Sequence, residues 1–163
     1  MKRITSAVLL IGAVAICSLA FAVDETPVAK AEHVMFSGAD LKWGEAPPAL
    51  PVGAKLAVLE GDPGKPGFFA IRLQMPAGYK IPAHTHPTDE HVTVISGTCN
   101  FGMGPKYDDA TAREMPAGAY AVMPAGMQHF AGSKSGCVVQ VNSTGPFQVT
   151  YVNPADYPRG AKK

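Results

Sequence analysis

Four side chains in this sequence are of types that bind transition metals, at spacings that could bring them together: His84, His86, Glu90 and His129. The chain has five histidines, and four of them fall between residues 84 and 129. His84 and His86 are one residue apart, and in an extended strand such residues project from the same face, so both imidazoles can reach a common centre. Pro87-Thr88-Asp89 then reads as a short turn that returns Glu90 beside them at the start of the next strand. His129 follows Pro124-Ala125-Gly126 on a second hairpin. Three imidazole nitrogens and a carboxylate oxygen suit a divalent first-row ion, and four ligands leave positions open for water or substrate. The competing reading is a set of hydrogen-bonded core histidines with no ion, which would bury three imidazoles and a carboxylate without a compensating cation.

The elements that must position these residues read as short strands. Gly and Pro together make 32 of 163 residues, and no window of ten or more residues keeps helical spacing. The clearest strand is Phe69 to Met75, where Phe69, Ile71, Leu73 and Met75 share one face and Arg72 and Gln74 the other. Further strands are expected at Lys55 to Glu60, Tyr79 to His86, Glu90 to Ser96, Thr98 to Phe101, Met115 to Met123, Met127 to Ala131, Cys137 to Asn142 and Phe147 to Val152. About nine strands with no helices between them imply an all-β antiparallel sandwich or barrel.

With the strands in place, the spacings resemble the cupin family. Gly78, His84, His86, Glu90 and Gly97 match the first cupin motif at every defined position, and Gly118, Pro124, Gly126 and His129 match the second. The second motif usually closes with Asn where this chain has Ser133, which affects a turn contact and not a metal ligand. The resemblance implies a cupin jelly-roll β-barrel, an antiparallel double sheet that is often dimeric, so a homodimer is among its options. It also implies one divalent transition metal ion, Fe, Mn, Zn, Ni or Cu, on His84, His86, Glu90 and His129. A metalloenzyme acting on a small-molecule substrate is the leading expectation, with iron-dependent dioxygenase chemistry first, then manganese-dependent decarboxylation or isomerisation. The alternative is a non-catalytic periplasmic module that binds or senses a metal or small ligand.

The other polar and soft side chains receive ordinary roles. His91 would point to the opposite strand face from Glu90, and Asp89 reads as a backbone cap in its turn. Arg72 belongs to a solvated strand face, and Tyr107, Asp108 and Asp109 to an exposed loop. Met75, Met103, Met115, Met123 and Met127 could suggest copper through their thioethers, but their spread over several strands suits core filling better.

At the N-terminus, Lys2 and Arg3 precede an apolar run from Ile4 to Ala22 that ends in Ala20-Phe21-Ala22, the pattern of a cleaved signal peptide. Its nineteen residues could instead span a bilayer as an anchor; Cys17 does not fit a lipoprotein site, because Ile16 precedes it. The expected organisation is a signal peptide over 1–22, an extended arm over 23–51 with Trp43 docking it, and a barrel over 52–158. Cleavage leaves 12 basic and 13 acidic residues, scattered along the chain, so nucleic acid and, after processing, membrane are not expected partners. A periplasmic or secreted location would allow Cys99 and Cys137 to pair. Each sits in an apolar strand context, and the expectation is two buried free thiols.

Overall fold

The computed structural model describes residues 33–158. Residues 1–22, with the expected signal peptide and anchor alternative, lie outside the described residues, as do residues 23–32 of the arm. Every element below belongs to the compact unit that begins at Val34.

The sheet grows from the strand with the cleanest alternation. In β3 (Gly67–Met75), Phe69, Ile71, Leu73 and Met75 are buried on one face, while Arg72 is half-buried and Gln74 exposed on the other. β9 (Cys137–Gly145) pairs with it antiparallel along its whole length, from Gly67 opposite Gly145 to Met75 opposite Cys137. On the other edge of β3 lie β2 (Lys55–Glu60) and then β1 (Gly44–Glu45), whose two residues come from the stretch expected as an arm. Trp43 is half-buried beside β1. Beyond β9 the order runs through β5 (Glu90–Met103), β8 (His129–Ser133), β4 (Tyr79–Thr85) and β10 (Thr150–Tyr151). β6 (Arg113–Pro116) and β7 (Tyr120–Met123) both pair with β5. Among the described residues there is no α-helix, only 3-10 turns at Gly38–Asp40 and Pro154–Asp156.

β5 joins the two halves of this curled sheet, and it differs from the sequence expectation. Glu90 to Ser96 and Thr98 to Phe101 are one continuous strand, not two. Gly97 makes that continuity possible: its φ is 72°, and a Cβ there would lie 2.3 Å from the Gly136 carbonyl oxygen. Conversely, the strand expected from Met115 to Met123 is broken after Pro116 by the turn at Ala117-Gly118.

The cysteines also depart from expectation, because Cys99 and Cys137 form a disulfide. In the β5–β9 register Gly97 stands opposite Cys137, which brings Cys99 within 5.6 Å of Cys137, Cα to Cα. That separation lies inside the range a disulfide spans. Both cysteines are buried in apolar surroundings, as expected, but they are paired and not free.

Candidate metal centre

β4 carries the first histidine through an irregularity written into its sequence. Ile81 pairs with Ala131 and His84 with His129, so three steps on β4 match two on β8 and leave a bulge at Pro82-Ala83. Proline lacks the N–H that a regular ladder requires, so a bulge is a position it tolerates. The bulge places the Pro82 carbonyl 2.7 Å from Nδ1 of His84. His86 lies just beyond β4, with its Nδ1 2.7 Å from the Gln148 carbonyl, and Nδ1 of His129 is 2.9 Å from the Met127 carbonyl.

A carbonyl oxygen can only accept, so all three Nδ1 atoms carry the proton and all three Nε2 atoms present lone pairs. The three rings are buried, with His84 and His129 4.3 Å and His84 and His86 4.9 Å apart between centroids. One ligand atom from each lies within 4.8 Å of the others, so the group could hold a metal ion. Glu90, at the start of β5, places Oε2 3.3 Å from Nε2 of His129 and 3.6 Å from Nε2 of His86, and its side chain is 12% exposed.

The charge states follow from burial. Burial and then His129 and His86 push His84 down to about 3, against the opposing influence of the Pro82 carbonyl and Glu90. Burial lowers His86 as well. Burial alone would raise Glu90, but the imidazoles around it, His129 foremost, outweigh that and hold the carboxyl below its ordinary range. Nε2 of His86 and Nε2 of His129 are buried without a hydrogen-bond partner. Imidazole lone pairs facing a carboxylate oxygen in a buried site repel one another, and a cation at the point they share is what satisfies them. The donor set therefore fits a metal ion better than a hydrogen-bonded histidine core.

The remaining candidates fall where the sequence put them, except Met103 and Met127. His91 bonds the Tyr120 hydroxyl through Nδ1 at 2.7 Å, and Asp89 Oδ1 accepts from the Ala125 N–H at 2.8 Å as a backbone cap. Arg72 donates to Gln140 on the outer sheet face. Lys80 bonds Asp109 at 2.6 Å and lies over the Tyr107 ring, at the Gly132 end of β8, away from His129. Ser133, where the motif has Asn, is buried and donates to the Thr98 carbonyl at 2.7 Å. Met75 and Met123 fill the core as expected and Met115 is half-buried, whereas Met103, the last residue of β5, and Met127, two residues before β8, are exposed. Sequence reasoning missed the Pro82, Met127 and Gln148 carbonyls, since a backbone oxygen has no residue-type signature. It also missed Phe147, whose ring stacks on His86 at 4.1 Å.

The DUF4437 family, described as a domain of unknown function, matches residues 13–150. The chain belongs to that family. None of the curated proteins matches it. Among solved structures, this DUF4437 chain is similar to an RmlC-like cupin from Shewanella frigidimarina, at 17% identity and TM-score 0.54, over 70% of this chain and 91% of that one. It is also similar to a protein provisionally described as an acetylacetone dioxygenase from Methylibium petroleiphilum PM1, at 20% identity and TM-score 0.60, over 80% and 88% of the two chains. A third likeness is to the polyketide cyclase RemF from Streptomyces resistomycificus, at 17% identity and TM-score 0.57, over 77% and 91%. At such identities the likeness establishes the fold: the DUF4437 chain is a cupin jelly roll.

Proposed function

We propose that this cupin is a metal-dependent protein acting on a small molecule, with one divalent transition ion held by His84, His86, Glu90 and His129. The observation that carries the reading is the pair of buried, unpartnered Nε2 atoms facing the Glu90 carboxylate. When bound, the ion would supply Lewis-acid or dioxygen-activating chemistry at its open positions. The chain supplies the rest. The carbonyls of Pro82, Gln148 and Met127 fix each imidazole as a donor through Nε2. Glu90 contributes the one negative charge of the set, and the surrounding core limits the access of water.

Within this class, dioxygenase chemistry is the first reading, supported by the likeness to a protein described as a dioxygenase. Decarboxylation or isomerisation follows, and a binding or sensing module is the alternative. We also read the chain as exported, a reading supported by the buried Cys99–Cys137 disulfide, since such bonds persist in oxidising compartments.

The test is elemental analysis of protein purified without added metal, followed by a turnover screen with the ion so identified. About one equivalent of Fe, Mn, Ni, Cu or Zn is expected. Protein that neither contains nor takes up such an ion sinks the proposal. Binding without turnover across diketones, thiols, catechols and small dicarboxylates, with and without oxygen, would favour the sensing module.

A further inference from the structure

The segment that follows β9 has two faces with different jobs. On one side, the Phe147 ring stacks on His86 at 4.1 Å and 18°, and the Gln148 carbonyl holds Nδ1 of His86 at 2.7 Å. On the other side, Phe147, Gln148, Val149 and Thr150 wall a cleft of about 640 Å3. The Phe147 backbone is itself anchored, its N–H donating to the Pro63 carbonyl at 2.7 Å, and its ring meets Phe69 edge-on at 5.2 Å. The opposite wall comes from β2 and from residues 47–50, which are pinned by the Tyr151 hydroxyl donating to the Ala49 carbonyl at 2.8 Å.

The lining decides what could enter. Leu50, Leu56, Val58, Ile71 and Tyr157 join Phe147 in a wall that is mostly apolar, and among the described residues no lysine, arginine or histidine contributes to it. Among the described residues its one charged side chain is Asp62, a carboxylate already paired with Lys65 at 2.9 Å. An anion entering here would lose hydration and, among the described residues, meet no cation beyond the Lys65 ammonium already paired with Asp62, whereas an uncharged apolar molecule would gain buried area. The volume is in the range of small-molecule sites.

We propose that this cleft binds an uncharged, largely apolar small molecule, and that Phe147 is the positioning residue through which the occupant bears on His86. The first half stands on the cleft alone; the second rests on the metal-centre reading above.

The probes are 4-phenylbutan-2-one and 3-phenylpropanoate, which differ by a methyl ketone in place of a carboxylate. By calorimetry on metal-free protein, the ketone is expected to bind tighter by at least about tenfold. Val58→Lys, at an exposed wall position, should narrow or reverse that preference by adding a cation. In cobalt(II)-loaded protein the ketone should shift the visible cobalt spectrum; Phe147→Ala should keep its cobalt and lose the shift, and Phe147→Tyr should retain it. Equal or tighter binding of the carboxylate to metal-free wild type, or binding of neither compound at millimolar concentration, overturns the ligand class. A ketone that binds wild type without moving the cobalt spectrum, or moves it equally in Phe147→Ala, overturns the role of Phe147. Failure to take up cobalt counts against the metal centre and leaves the metal-free comparison to decide the cleft.

Discussion

The three histidines reach one point from different backbones, and a carbonyl oxygen behind each Nδ1 is what makes them equivalent donors. Removing any one of the rings leaves water to replace a fixed nitrogen donor. His84→Ala, His86→Ala and His129→Ala should therefore each lower metal retention after dialysis by about tenfold or more, while His91→Ala, bonded to Tyr120 on the outer face, should retain wild-type content. Near-stoichiometric metal in all three variants would refute the site. Glu90→Gln keeps the volume but removes the one ligand charge, so at equal metal loading turnover should fall further than ligand affinity; an equal loss in both would give the carboxylate a binding role only. Acid should also find this site in the metal-free protein. His84 is neutral in the folded chain down to about pH 3 but protonates near 6.5 when unfolded, so between those values the unfolded state holds the extra proton. Stability is thus fully present above pH 6.5 and lost as pH falls toward 3, and Glu90, held low, adds loss below its ordinary range. Thermal melts of metal-free protein across that window should show the decline, and His84→Gln should flatten it.

At the scale of elements, the disulfide and the glycine contacts make the sharpest predictions. The bond closes a separation of 38 residues, and loop-closure entropy assigns such a link about 4 kcal/mol. Alkylation under denaturing, non-reducing conditions should label neither Cys99 nor Cys137, and prior reduction should expose both and lower the denaturation midpoint. Label without reduction would contradict the pairing. Gly102→Ala should destabilise by about 1–3 kcal/mol, because a Cβ there would lie 2.0 Å from the Phe130 ring; an unchanged midpoint would show that Phe130 moves freely. These two features mark the limit of what the sequence made legible. Alternation in Phe69 to Met75 revealed a strand face, since burial acts every second residue, and His-x-His revealed a shared side for the same reason. The Cys99–Cys137 bond depends on register between β5 and β9, which no local pattern encodes, and the bulge that aims His84 shows itself only once β4 and β8 are paired.

For the whole molecule, the core and the metal centre are separable. Phe69, Met75, Val92, Val94, Val139 and Val141 pack together independently of any ion, so chelated protein should still melt cooperatively. Adding the native metal should stabilise the fold by mass action, by about 4 kcal/mol at a thousand times the dissociation constant, and raise the midpoint accordingly. A chelated protein with no thermal transition would show that ion and fold are one system, as in small zinc domains. If the chain is exported and processed as its first residues suggest, N-terminal sequencing of the mature protein should begin at Val23; a start at Met1 would favour the anchor.

β5 pairs with β7 and β9 together at residues 91–93 and with β6 and β8 together at residues 100–101, so in those two stretches neither edge is free. The amides there are sealed from solvent until several neighbours part together, and deuterium should enter them last. Glu90 and Cys99 ride on that same ribbon. An ion gripped at one end would then be sensed along the strand as a slowing of isotope uptake, while the short outer pair β1–β2 keeps its own faster clock.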